Sequence, residues 1–352
     1  MKKIVHLLFS LNTGGTENMV VDICNCQVEY AQVYLIIIHD SINQMVLSQL
    51  SDKVNLICLK EKPPTKIPFF VFGLWLRLFK LRPDILHLHN RMSLKLFPHF
   101  TKRFIKTIQF TFHTTGIAPG RDVLRVDSCF SISNAVRNEL IGRTGIDSTV
   151  IYNGIAVGSI PCRNVRNAPE KTFKIVQVGR VDFSIKGQDI LLKAVAQCIK
   201  KSSHQEVTVD FFGDGKDLDA LQSLAHELNI SEKVTCHGGV KKSQIYSKLN
   251  GYDLYVQPSR IEGFGLTIAE AMAAKVPVAV SNIEGPMEVV DGGKYGFVFE
   301  TDNVDACADA IALCIENYNN GNIQETVERA YERVSTLFNI EETSKRYAEI
   351  GE

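Results

Sequence analysis

A chain of 352 residues has room for two domains. Its hydrophobic fraction of 45% and charged fraction of 22% are those of a folded globular protein. With 39 Lys+Arg against 39 Asp+Glu the formal net charge is zero, so bulk charge argues against a nucleic-acid partner. The charge is uneven, however: residues 1–160 carry 18 basic against 11 acidic side chains. The nine cysteines show no Cys-x2-Cys pair and no zinc-finger spacing to histidines, so reduced thiols in a cytosol are expected.

The first predicted element is a buried strand over Lys3–Leu11. Its apolar run is short, and Asn12-Thr13-Gly14-Gly15 is no small-residue cleavage site, so a strand is preferred to a signal peptide. A helix follows, with Met19, Val20, Ile23 and Cys24 on one face. The glycine pair Gly14-Gly15 between strand and helix lets backbone approach a ligand closely. Strands at Val33–Ile38 and Val54–Leu59 alternate with helical patterns, which predicts a parallel doubly wound sheet. Residues 60–106 then hold 11 Lys/Arg against Glu61 and Asp84, with a run of aromatics over Ile67–Arg82. This reads either as a core helix with a solvated basic edge or as a surface that docks on anionic lipid. The longest apolar run, Ile67–Leu76, is about half the ~20 residues that a membrane span requires.

Pro83–His89 and Thr107–His113 read as further strands. His87 and His89 share a strand face, but without an evident third ligand they are taken as structural or acceptor-side residues. His113 stands at the carboxyl end of a parallel strand, where open α/β sheets bind ligands. Ser128–Ser133 is another strand, and Ser133 caps the helix that follows it. Thr149–Ile155 closes the first domain, and the aperiodic stretch Gly158–Lys171, with Pro161 and Pro169, reads as a linker.

The second half opens with a strand over Phe173–Gly179, then a loop carrying Arg180, Lys186 and Gly187, then a helix to about Lys201. Two cations in a glycine-bearing strand-to-helix loop form a clamp suited to a diphosphate. Val207–Phe212 and Lys233–Val240 read as strands. Asp217 and Asp219 spell Asp-x-Asp but open a helix, where acidic side chains belong for dipole reasons. The stretch around which the chain is organised is Ser259–Val280. Glu262 and Glu270 stand eight positions apart around Gly263-Phe264-Gly265, which feeds a helix beginning at Leu266 and Thr267. A strand precedes it at Asp253–Gln257 and another follows at Val276–Val280. A glycine loop at a helix N-terminus offers unpaired N–H groups to a phosphate, and the two carboxylates address hydroxyl-bearing groups on either side. Gly285-Pro286 reads as a turn. Helices are predicted at Asn303–Tyr318 and Glu325–Leu337, whereas Ile340–Ile350 holds apolar residues too sparse for a core helix of its own.

The Glu262-x7-Glu270 stretch resembles the signature of family 4 glycosyltransferases, which are retaining, depend on nucleotide sugars and have the GT-B fold. Arg180 and Lys186-Gly187 resemble the family's Gly-Arg-x4-Lys-Gly segment with a gap one residue longer, and Gly14-Gly15 resembles its N-terminal glycine loop. The resemblance spans nearly the whole chain in order. It implies an α/β fold of two Rossmann-like doubly wound domains facing across a cleft. These would be residues 1–160 for the acceptor and 161–335 for the donor, with residues 336–352 returning to the first domain as a helix. It implies Glu262, His113, Arg180 and Lys186 as catalytic residues. Donor contacts fall on Gly14, Gly15, Arg180, Lys186, Gly263, Phe264, Gly265, Leu266, Thr267 and Glu270, and on Val240 in the loop flanking the base. The implied reaction moves a hexose-type sugar from a UDP- or GDP-sugar to a hydroxyl of a glycan or lipid-linked acceptor, in cell-surface polysaccharide assembly. No metal, cofactor or nucleic acid is expected, and the expected location is the cytoplasm or the inner face of the membrane. The alternatives are another GT-B enzyme on sugar nucleotides, such as an epimerase, or a non-catalytic sugar-nucleotide binder.

Overall fold

The computed structural model describes residues 1–61, 67–116, 120–164, 171–201 and 206–350. Contacts divide the chain into Met1–Ala156 with Phe338–Glu352, and Val157–Leu337. The breaks thus fall at 156/157 and 337/338, a few residues from the boundaries read in the sequence.

The first unit is built on seven strands: β1 (Lys2–Leu8), β2 (Ala31–His39), β3 (Asn55–Glu61), β4 (Ile85–Leu88), β5 (Thr107–Phe112), β6 (Ser128–Ser131) and β7 (Thr149–Val150). They pair in the order β3-β2-β1-β4-β5-β6-β7, every pair parallel. Runs of Ile, Val and Leu bury most of β1 and β2, and β4 and β5 are buried along their whole length, as a sheet covered on both faces demands. The helix Gly15–Gln27 buries Met19, Val20, Ile23 and Cys24, and also the amide of Gln27. Ser133 caps the helix Asn134–Thr144 by accepting from Val136 N–H at 3.1 Å.

The chain returns to this unit at its end. Ile155 N–H donates to Phe338 O at 2.7 Å and Ile340 N–H to Ile155 O at 3.1 Å. A side chain on Gly154 would run into the Ile340 backbone, which accounts for the glycine. The helix Ile340–Glu349 then packs on Gly15–Gln27. The sequence expectation that its apolar residues are too sparse for a core helix is corrected here, because the helix buries a mixed apolar and polar face. Its buried face is Ile340, Thr343, Ser344, Tyr347 and Ala348, and the two polar residues among them find partners elsewhere in the first unit. Thr343 Oγ1 donates to Tyr152 O at 3.0 Å, and Ser344 O accepts from Gln27 Nε2 at 3.2 Å.

The basic aromatic segment forms a helix over Ile67–Leu81; Lys62 and Lys66 lie outside the described residues. Leu74 and Leu78 are buried, whereas Phe72, Leu76 and Phe79 are 63%, 45% and 49% exposed. These three recur at i, i+4 and i+7, so they share one face. Not all of the neighbouring charge is free: Lys102 pairs with Asp127 at 2.5 Å and Lys106 pairs with Asp84.

The second unit has six parallel strands: β8 (Thr172–Val178), β9 (Glu206–Phe212), β10 (Val234–Cys236), β11 (Leu254–Gln257), β12 (Val278–Ser281) and β13 (Phe297–Phe299). Their order is β10-β9-β8-β11-β12-β13. Strand β13 escapes sequence reading because it is three residues long and follows Gly292, Gly293 and Gly296. Gly285-Pro286 is not a turn, as the sequence suggested, but lies in the first turn of the helix Glu284–Val289. There the N–H that proline lacks would have no helical partner in any case. In both sheets the order reverses next to the first strand, at β1/β4 and β8/β11. Such switch points are where sheets of this kind bind ligands, beyond the carboxyl ends of the strands.

Candidate functional site

In the second unit, Arg180 and Lys186 follow β8, and Glu262 to Thr267 follow β11, so both sets lie at the carboxyl ends of the strands flanking the switch point. After β8 the chain makes a four-residue helix, Phe183–Lys186, and stops at Gly187 with φ +65°. A side chain there would meet Pro258 O, so glycine is required on both counts. The chain after β11 lies on that short helix: Arg260 and Ile261 N–H both donate to Ile185 O, at 2.8 and 3.2 Å. The Arg260 guanidinium closes the contact, bonding Asp189 at 2.8 and 3.1 Å, Asp302 at 2.5 Å and Phe183 O. Lys186 and Glu262, 76 residues apart, consequently meet as a part-buried ion pair. Arg180 is exposed, and its guanidinium has no partner among the described residues; its carbonyl accepts from Gln188 Nε2 at 2.9 Å.

Gly263, Phe264 and Gly265 are buried. Gly265 starts the helix Leu266–Ala273 at φ +107°, a conformation open to glycine. A side chain on Gly285 would strike Glu262 O and Phe264 N, so that glycine lets the next helix abut this loop. Gly265 O accepts from Ile268 and Ala269 N–H. The N–H groups of Leu266 and Thr267 have no acceptor among the described residues, and they form the positive end of the helix. Thr267 Oγ1 is held 2.7 Å from the hydroxyl of Tyr255, whose pKa burial pushes upward. Glu270 is buried in the same helix, accepts from Tyr246 Oη–H at 2.8 Å and lies 3.6 Å from Lys242 Nζ. A buried carboxylate requires such partners. Val240 is half-buried in the loop after β10, whose Gly238 O accepts from Gly213 N–H at 2.9 Å. Asp217 and Asp219 stand at the start of the helix Leu218–Glu227, as the sequence suggested, and the Asp217 side chain makes no capping bond there. Its carboxylate accepts from Phe183 N–H at 2.7 Å, which ties the β9 loop to the short helix bearing Lys186.

In the first unit, Gly14 and Gly15 lie beyond β1 at the start of the helix Gly15–Gln27, and His113 directly follows β5. Gly14 is extended, so its role is not a left-handed turn. Sequence reasoning saw no third histidine near His87 and His89. The structure supplies one, because the β1–β4 register sets His6 opposite His87. Nitrogens of His6, His87 and His89 lie within 4.8 Å of one another, the one group among the described residues with the reach to hold a metal ion. Most of these nitrogens already serve as hydrogen-bonding atoms. His6 Nδ1 is 3.0 Å from His89 Nε2, His6 Nε2 is 2.8 Å from Gln27 Oε1, and His89 Nδ1 is 3.0 Å from His113 Nε2. His87 Nε2 bonds Thr111 Oγ1 at 2.7 Å, whereas His87 Nδ1 is buried without a partner. Burial lowers the pKa of all four rings, His6 and His113 to about 4, so they are neutral near pH 7.

The family described as "Glycosyl transferases group 1" matches residues 161–334, and "Glycosyltransferase Family 4" matches residues 13–158. One relative is the UDP-N-acetylglucosamine–peptide N-acetylglucosaminyltransferase GtfA subunit of Streptococcus gordonii, 28% identical over 51% of this chain and 35% of its own. Another is a GDP-mannose-dependent phosphatidylinositol monomannoside mannosyltransferase of Mycobacterium tuberculosis, 33% identical over 36% of this chain and 34% of its own. The chain thus spans about a third of the length of these curated relatives. Among solved structures, Anabaena HepE with UDP and glucose superposes with a TM-score of 0.81 over 99% of each chain at 20% identity, which establishes the fold. Two matching family descriptions that together run from residue 13 to residue 334, on two parallel sheets of Rossmann type, place the chain among the family-4-type glycosyltransferases of the GT-B fold.

Proposed function

We propose that this protein transfers a hexose-type sugar from a UDP- or GDP-sugar to a hydroxyl of a glycan or lipid-linked acceptor, with retention at the anomeric carbon. The observation that carries the reading is the convergence at one switch point of Arg180, the Lys186–Glu262 pair and the N–H groups of Leu266 and Thr267, with Arg180 and those N–H groups unpartnered among the described residues. Departure of a nucleoside diphosphate leaves negative charge, and fixed cations with a helix N-terminus stabilise it most as it develops. Arg180 and Lys186 hold the diphosphate, and the Leu266 and Thr267 N–H groups bind its oxygens. Glu262, positioned by Lys186, accepts from hydroxyls of the sugar. Glu270 binds the ribose, with Val240 beside the base. In the first unit, His113 at the carboxyl end of β5 and Gly14-Gly15 beyond β1 are the ligand-side groups. Both nucleotide classes appear among the relatives' names, which supports UDP or GDP without choosing between them.

No described helix is long and apolar enough to cross a membrane. The exposed face of Phe72, Leu76 and Phe79, with Arg77 and Lys80 on the same helix, supports peripheral docking on anionic lipid near a lipid-linked acceptor. A role in cell-surface polysaccharide assembly accords with that face.

The test is a donor panel: melting of the full chain with UDP-, GDP- and other nucleotide sugars, then radiolabel transfer with the stabilising donor and NMR of the product anomer. Transfer with retained configuration supports the proposal. Inverted product removes the retaining mechanism, epimerised donor points to the other GT-B chemistry, and binding without turnover identifies a non-catalytic binder.

A further inference from the structure

Deep in the first unit, four side chains form a single file: Gln27, His6, His89 and His113, joined by contacts of 2.8, 3.0 and 3.0 Å. The file has a direction. Gln27 Nε2 donates to Ser344 O at 3.2 Å, which turns Gln27 Oε1 towards His6 Nε2. An amide oxygen only accepts, so His6 Nε2 carries the proton. A neutral imidazole has one N–H, so His6 Nδ1 is a lone pair and His89 Nε2 must donate to it. By the same step His89 Nδ1 accepts, and His113 Nε2 donates. The proton of His113 is thereby committed to the protein interior. Its Nδ1 is left as an acceptor with no donor among the described residues.

We propose that Gln27, through His6 and His89, is a positioning residue that locks His113 as its Nε2–H tautomer, so that Nδ1 meets the ligand as a hydrogen-bond acceptor. The inference rests on the reading of His113 as a ligand-side group and says what that group does. It accepts from a hydroxyl and does not deliver a proton. Ser344, in the C-terminal helix, orients Gln27, so the returning helix is part of the device. Gln27, His6 and His89 are all buried, which isolates the file from water that could reverse it.

The experiment is a long-range proton–nitrogen correlation spectrum of the full chain, labelled with nitrogen-15 in histidine, near neutral pH. His113→Asn and His6→Asn assign the signals. The expected result is a protonated Nε2 and a bare Nδ1 at His6, His89 and His113. Gln27→Glu, which still accepts from His6, should keep the pattern; Gln27→Met should leave mixed tautomers at His113. A wild-type spectrum with Nδ1–H at His113 overturns the proposal even if no variant folds, and so does a His113 unaffected by Gln27→Met. The kinetic arm uses whichever of UDP-glucose or GDP-mannose turns over. His113→Ala should lower kcat/KM about tenfold, the value of one lost hydrogen bond, and His113→Asn, whose Oδ1 stands near the place of Nδ1, should recover most of it. Unchanged kinetics in His113→Ala beside the expected spectrum would refute the ligand-side role of His113 while leaving the tautomer lock in place.

Discussion

The histidine file makes the first unit sensitive to acid, and the size of the effect follows from burial. A free histidine titrates near 6.5; His6, fully enclosed between Gln27 and His89, is lowered to about 4 by desolvation, against the opposing pull of its bond to Gln27. His113 is lowered to about the same value by burial. The unfolded chain takes up these protons first. The stability that neutral histidines contribute is therefore complete above about pH 6.5 and is lost as pH falls from there towards about 4. At about pH 5 the loss is roughly 2 kcal/mol for each of these two rings by linkage. His87 and His89 add to it in the same direction. Against a whole-domain stability of about 5–15 kcal/mol, this is a large fraction. The assay is hydrogen exchange by mass spectrometry on the full chain, read on peptides of β1, β4 and β5 at about pH 7.5, 6 and 5 after correction for the intrinsic exchange rate. Opening free energies in these strands should fall by roughly 4 kcal/mol or more over that range. Values constant to within about 0.5 kcal/mol would refute the reasoning, because neutral buried rings cannot coexist with a pH-independent unit.

In the second unit, Lys186→Ala removes one charged partner of the diphosphate and should weaken UDP or GDP binding by roughly ten- to a hundredfold, about 1.5–3 kcal/mol; calorimetry showing unchanged affinity would take Lys186 out of the clamp. Glu262→Gln preserves shape but weakens the pairing with Lys186, and it should cut transfer by at least about a hundredfold while the melting temperature stays within a few degrees. Wild-type turnover would dissociate Glu262 from the sugar. Gly187→Ala forces a side chain into left-handed backbone against Pro258 O, so urea unfolding should show a loss of more than about 1 kcal/mol, and a neutral result would mean this loop yields more readily than its contacts suggest. Phe72→Ser with Phe79→Ser should reduce sedimentation with vesicles containing phosphatidylglycerol. If retention is undiminished, the exposed face has another use.

What could be read along the chain was whatever depends on neighbours in sequence. The alternation of apolar strands with amphipathic helices follows from side-chain periodicity, and the glycines before Leu266 announce a helix N-terminus because few other residues tolerate that backbone. Those signals placed Arg180, Lys186 and Glu262 in loops beyond strands. Short elements framed by glycine, such as β13, carried too few residues to register, and Gly285-Pro286 looks alike in a turn and in a first helical turn. Only tertiary structure decided which loops touch. Lys186 finds Glu262 because β8 and β11 are hydrogen-bonded neighbours and Arg260 pins one loop onto the other. Glu270 tolerates burial because Tyr246, on the preceding helix, arrives to donate to it. His6 completes the histidine file through strand register alone, and Gln27 is oriented by a carbonyl 317 residues away. Local sequence sets each residue's conformational options. Pairing across a sheet and the return of the last helix determine which polar groups share a buried space, and there each must find a partner or cost the fold stability.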